Sequence, residues 1–226
     1  MHGHPRGRLD TAMAAIGHTH PIAGWGQRIC ASYADCLAGV DAVALTMRWN
    51  LESLDVLGAS GDWAAVLEDI QFTLGEGPAV DAFTGGEPVE SARVGDDPRW
   101  PIFGPCAAAA GTGAVAAFPL RLGAIRFGSV DLYSRRTGPI PGRTRSEAAL
   151  LTTLVSCVLV ERIGTEWVSV IDYREVDAAR GKMAVAGGFA IADTLSRLRA
   201  HAFASDRPLR TVAADIVAGR LVLTPD

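Results

Sequence analysis

The sequence predicts an α+β domain of antiparallel strands with flanking helices, followed by an all-α unit of three short helices. Three observations lead there. Two strand-like runs, VAAFPLRL (115–122) and IRFGSVDLY (125–133), are separated by a turn at Gly123. Helical spacing of apolar residues occurs before, between and after the strand-like runs, as an α+β chain requires. Beyond residue 173 only helical spacing remains, and the charge balance changes sign. Residues 1–173 hold 13 Arg against 19 Asp and Glu, a net −6, whereas residues 174–226 hold 8 Lys and Arg against 6 acidic residues, a net +2. A mildly basic tail on an acidic body points to a polyanionic partner for the tail.

Taken in order, residues 1–21 are polar and read as a flexible leader. Its His2/His4 and His18/His20 pairs have metal-ligand spacing, but no acidic or Cys ligand stands near them in sequence. Ile22, Trp25, Ile29, Tyr33 and Leu37 recur at three- and four-residue steps and predict a helix over 22–38. VDAVALTMRW (40–49) and ESLDVLGAS (52–60) predict a hairpin, with Asn50 and Leu51 between the strands. Asp62 is placed to cap a helix running to about Gln71. GEGP (75–78) is a turn and lacks the spacing of a phosphate loop. PVESARV (88–94) reads as a strand, the Pro-rich 96–105 segment as irregular, and Cys106–Ala110 as a short helix. From Ser146 a long helix carries Leu150, Leu151, Leu154, Val155, Val158, Leu159 and Ile163, a stripe broad enough for a core face and a neighbouring helix. Residues 164–173 are expected to continue as a helical linker.

Three helices follow. The first spans Arg174 to about Ala186 and stops at Gly187-Gly188. The second spans Ile191–Ser205, with Leu195, Leu198 and Ala202 on one face. The third starts near Pro208, whose missing N–H costs nothing in a first turn. Its Leu209, Val212, Ala213, Ile216 and Val217 form a full apolar stripe. Three striped helices close into a bundle, and packing onto the preceding long helix would stabilise it.

The stretches LEDIQFTLGEGPAVDAF, DDPRWPIF and AVAAFPLRLGAIRFGSVDLYS resemble the GAF domains of actinobacterial regulators over residues 22–163. That resemblance implies an antiparallel sheet backed by helices and a pocket on one sheet face. It offers Trp100, Phe103, Phe118, Phe127 and Tyr133 as pocket lining, with Arg99 or Asp131 as a polar anchor. The relatives resemble GEGPC at the turn, and this chain has Ala79 in the Cys place, so a thiol sensor there is not expected. Residues 174–221 resemble the ANTAR domain of transcription antiterminators. Arg174, Val176, Ala179 and Gly181 match its first segment, Leu198, Arg199 and Ala202 its second, and Leu209, Val212, Ala213, Ile216 and Val217 its third. Two positions depart from the family: Arg180 replaces a Lys and Thr194 an Ala.

The resemblance implies a cytoplasmic homodimer that stabilises tandem RNA hairpin loops, with Arg174, Arg180, Lys182 and Arg199 as RNA contacts. Looped RNA exposes phosphates and unstacked bases, which reward such cations. A small-molecule ligand is an additional candidate partner for the GAF-like domain. No cofactor, metal or catalytic residue is expected. The four Cys form no CxxC pair, and no apolar run reaches the ~18 residues of a membrane span. A DNA-binding regulator and a pure small-molecule sensor are the alternatives. The first is disfavoured because residues 208–219 offer mainly Ala, Thr and Asp outside the apolar stripe.

Overall fold

A computed structural model describes residues 5–17, 24–161 and 171–224. Its centre is a six-stranded antiparallel sheet of order β3-β4-β5-β1-β2-β6. The strands are β1 (Ala42–Met47), β2 (Asp55–Ala59), β3 (Val89–Ser91), β4 (Ala114–Leu122), β5 (Ile125–Ser134) and the two-residue β6 (Ile171–Asp172). Both expected hairpins form: β1 pairs with β2 and β4 with β5. Gly123 takes φ +58° in the β4–β5 turn, a conformation that glycine adopts without strain.

Each sheet face has its own helices. On one lie α1 (Pro5–Gly17), α2 (Trp25–Cys36) and α6 (Gly142–Glu161). Trp25, Ile29 and Tyr33 of α2 and Leu151 and Val155 of α6 bury against Leu45, Phe118 and Leu132. On the other lie α3 (Asp62–Leu74), α4 (Pro78–Gly85) and α5 (Phe103–Ala109). There Ala64, Leu67, Phe103 and Ala107 meet Ala44, Val115 and Tyr133.

The C-terminal bundle is α7 (Arg174–Gly187), α8 (Ile191–Ala204) and α9 (Leu209–Val217). Its stripes converge as the periodicity predicts: Val176, Ala179, Met183, Leu195, Leu198, Ala202, Leu209, Val212, Ala213 and Ile216 are all buried in one cluster. Val217 is the exception, 42% exposed. The same cluster takes in Leu54 just before β2, Val56 of β2 and Phe72 of α3, so the bundle shares a core with the body.

Several expectations change. The first residues are no flexible leader over 5–17. They form α1, which buries Ala12 and Ile16 because short apolar side chains at four-residue spacing face α2 and α6. The two His pairs lie outside the described residues. Asp62 does not cap α3; it sits in the first turn with Gly61 as the capping residue and no side-chain cap bond. The segment after the GEGP turn is helical, with Pro78 opening α4. Most of the linker lies outside the described residues, but 171–172 pair as a strand with Val56 and Asp55 rather than continuing a helix. Finally, the bundle does not rest on α6. It packs on α3 and β2, where Phe72 and Tyr173 meet edge to face at 4.5 Å. Among the described residues no helix is long and apolar enough to cross a membrane.

The backbones of α2 and β2 approach closely at Gly26 and Gly58. A Cβ on Gly26 would overlap the Leu57 carbonyl, whereas a Cβ on Gly61 would meet nothing. Gly26→Ala is therefore expected to cost about 3 kcal/mol, the upper range for overpacking, and Gly61→Ala little. Urea unfolding midpoints of the two variants check this.

Candidate functional site

Strand alternation decides which side chains meet on the sheet. On β5, Ser129, Asp131 and Tyr133 face α3, and Thr46 of β1 lies opposite Ser129. From α3, Glu68 and Gln71 are three residues apart and point at this row. The result is a buried polar cluster. Gln71 Nε2 donates to Tyr133 Oη at 2.8 Å, and Tyr133 donates a short hydrogen bond to Glu68. Ser129 Oγ donates to Asp131 at 2.8 Å and lies 3.0 Å from Thr46 Oγ1. The Ala79 N–H donates to Gln71 Oε1 at 2.9 Å, which ties the GEGP turn to the cluster.

Arg48, just beyond β1, brings a guanidinium into the interior, 1% exposed. Among the described residues its Nε and Nη2 have no protein partner, and Glu68 Oε2 and Asp131 Oδ1 have no donor other than a proton shared between the two carboxyl groups. Burial pushes the Arg48 guanidinium down, offset by Glu68 and Asp131. Burial also pushes both carboxyl groups up, and the Glu68 charge pushes Asp131 further. Each carboxyl also has a hydroxyl donor, Tyr133 for Glu68 and Ser129 for Asp131. The hydrogen bond between the two carboxyl groups lowers Glu68 and raises Asp131, so Asp131 is the one held further up.

The five aromatic candidates do not converge on one pocket. Phe118 and Phe127 lie on the α2/α6 face, whereas Trp100, Phe103 and Tyr133 lie on the α3/α5 face. Phe127 changes side because Gly128, at φ +157°, and the register shift at Leu120/Arg121 break the alternation of β5. Trp100 is fixed by its own bonds: its indole N–H donates to Asp81 at 2.9 Å, and Arg99 stacks over the ring at 4.4 Å. Arg99 pairs with Asp97, whose carboxyl falls to about 2 because of that hydrogen bond, so it clamps a loop rather than anchoring a pocket. Asp131 does join the buried cluster. Sequence reasoning missed Thr46, Arg48, Glu68 and Gln71. Their signal was polar residues at buried-face positions in otherwise apolar elements.

The four cations picked for RNA also separate. Arg174 opens α7 and is exposed. Lys182 is exposed and donates to the Val217 carbonyl at 3.0 Å. Arg180 and Arg199 are instead drawn to the body. Arg180 Nη2 meets Glu52 at 2.5 Å and Nη1 meets Asp177 at 3.3 Å. Its Nε donates to Thr194 Oγ1 at 3.3 Å, so the two departures from the ANTAR pattern are partners. Arg199 Nε donates to the Phe72 carbonyl at 2.9 Å, its guanidinium lies 5.2 Å from the Phe72 ring, and Nη2 has no partner among the described residues. Burial, with Arg48 next, lowers its guanidinium to about 10. A third bundle cation, Arg210, pairs with Asp69 at 3.2 Å, and Tyr173 donates to the same carboxylate at 2.5 Å. Three bundle arginines thus hold the seam with the body.

No family model and no curated protein matches the chain. Solved structures match its fold. The GAF domain of an Acinetobacter phosphoenolpyruvate-protein phosphotransferase superposes with a TM-score of 0.56 at 12% identity, covering 74% of this chain and 98% of that one. The corresponding domain from Coxiella burnetii gives 0.57 at 11% identity over 70% and 94%. A free methionine-R-sulfoxide reductase from Neisseria meningitidis, solved with its substrate, gives 0.54 at 13% over 69% and 88%. The body therefore has the GAF fold, and identities this low speak to fold alone.

The buried carboxyl pair gives a pH signature. A folded-state value above the ordinary 3.8 makes the native protein hold the Asp131 proton more tightly than the unfolded chain. That contribution is present in acid and declines as pH rises from about 4 toward the raised value. Asp131→Asn removes the titration. Its melting temperature is expected to fall less than that of the parent between pH 5 and pH 8, each variant compared with itself in a thermal-melt series.

Proposed function

We propose that this chain is an RNA-binding antitermination regulator whose GAF-fold body gates its C-terminal bundle. The observation that carries the reading is the seam. Arg180, Arg199 and Arg210 of the bundle are held by Glu52, by the Phe72 carbonyl and by Asp69 of the body. A surface of arginines that pairs with carboxylates can pair with phosphates by the same fork geometry. The basic tail and acidic body thus attract each other, and nucleic acid competes with the body for the same cations. In this reading Arg174 and Lys182 make a first contact with looped RNA. Arg180 and Arg199 add to it once the bundle leaves the seam. Homodimerisation would bring two bundles to tandem hairpins and convert weak single-loop binding into useful affinity.

The bundle surface favours RNA over a DNA-reading helix. Outside its buried stripe α9 presents Thr211, Ala214 and Asp215, with Arg210 turned to the body. Base-edge readout in a major groove calls for a helix that points Arg, Asn or Gln outward. Asp215 is moreover held ionised by hydrogen bonds from Arg207 and Arg220. The reading includes no catalytic step. Burial pushes the Cys30 thiol far above the ordinary 9.0, which makes it inert as a nucleophile.

Gel shifts with a paired-hairpin RNA, its scrambled-loop control and duplex DNA test the proposal. Tandem hairpins are expected to bind best, with affinity falling as salt rises. Equal binding to the scrambled loops contradicts the reading. Arg180→Ala is expected to weaken binding and flatten the salt slope by about one charge. Glu52→Gln combined with Asp69→Asn is expected to tighten binding about tenfold, because the RNA no longer displaces two charge-assisted contacts.

A further inference from the structure

A cleft of about 580 Å3 opens where body and bundle meet. It lies on the outer face of α3, the side away from Glu68 and Gln71, so it is separate from the buried cluster on the sheet. Val66, Ile70 and Leu74 form its floor, and Phe203 and Pro208 of the bundle form the opposite wall. Val66 and Phe203 are 49% and 57% exposed. The volume is that of a small-molecule site, and junctions between folded units are common places for one.

The chemistry of the walls narrows the ligand. Two charged side chains besides Asp206 line the cleft, and each is already matched. Asp69 is held by Arg210 and Tyr173, and Arg207 is held by Asp215. Asp206, in the turn between α8 and α9, has no side-chain partner among the described residues. Its φ of +50° is also the one left-handed non-glycine conformation among them. Aspartate adopts that backbone readily where a helix ends, so the unmatched charge rather than the strain is what points to a ligand. An apolar floor, an exposed aromatic wall and a single uncompensated carboxylate match a flat apolar ring carrying one positive charge.

We propose that this cleft binds a small arylalkyl cation, whose ring lies between Phe203 and the α3 floor and whose charge meets Asp206. The ligand touches both body and bundle, so it binds only the docked arrangement and stabilises it by mass action. Resting on the RNA reading above, it therefore opposes hairpin binding by holding Arg180 and Arg199 in the seam.

The test uses the full chain and para-fluorophenethylamine as probe, followed by fluorine NMR. Saturable broadening of the amine is expected, with little for para-fluorophenylacetate, which carries the opposite charge. Asp206→Asn keeps a residue that tolerates the left-handed backbone and removes the charge, and should weaken the amine about tenfold. Phe203→Ser, at an exposed position, should weaken it as well. Equal binding of amine and acid, or an unchanged affinity in Asp206→Asn, overturns the site. So does sedimentation showing that Phe203→Ser turns a dimer into monomers, because the cleft would then be covered by a second copy. Saturating amine should also lower hairpin affinity. Amine binding that leaves hairpin affinity unchanged overturns the clamp. Amine binding by a chain that takes no hairpin at all supports the site and overturns the RNA reading instead.

Discussion

Everything distinctive about this molecule depends on how it satisfies guanidinium groups at a buried seam. A surface ion pair stabilises by less than about 1 kcal/mol, but a partly buried charge that loses its partner is costly. Arg199 is the clearest case. It sits on the border of its helix stripe, too close to the core to remain in water, and the Phe72 carbonyl and ring receive it. Arg180 is only 12% exposed and uses Glu52, Asp177 and Thr194 together. Moving the bundle away means finding these groups new anionic or carbonyl partners. That requirement ties the bundle to the body.

The bundle could be read from the chain almost completely. Its three apolar stripes have helical spacing, Gly188 ends α7 at φ +71°, and Pro208 precedes α9. The sheet was legible for the same reason, since β4 and β5 are long apolar runs with a glycine turn. What stayed hidden was where the bundle docks. Leu54, Phe72 and Tyr173 belong to the shared core, yet each looks like an ordinary core residue in its own segment. Local periodicity tells which face is apolar but not which partner covers it, so α6 was as reasonable a neighbour as α3. The α1 helix was missed because Arg6, Arg8, Asp10 and Thr11 interrupt its first half, and just Ala12 and Ile16 of the described side chains are fully committed to the core.

The candidate site was legible only in part. Asp131 stood out as an acidic residue inside a strand, but Arg48 and Glu68 needed the fold to bring them together. The aromatic residues misled because Gly128 breaks the alternation of β5 and sends Phe127 to the far side of the sheet from Tyr133. The positions at 180 and 194 teach the opposite lesson. Each looked like an isolated departure from the pattern of the family that the tail resembles, yet they are one hydrogen-bonded pair across α7 and α8. The guanidinium fork and the hydroxyl meet at 3.3 Å, and the fork reaches on to Glu52.

The central claim is that RNA and the body compete for the same arginines. Hydrogen exchange of the full chain, with and without saturating tandem-hairpin RNA, tests it most directly. Release of the bundle removes the β2–β6 pairing at Asp55 and Val56 and the Arg199 contact on the last turn of α3. Faster amide exchange in those two segments when RNA is bound is the predicted result. Exchange that stays the same or slows there, with RNA demonstrably bound, would contradict the account.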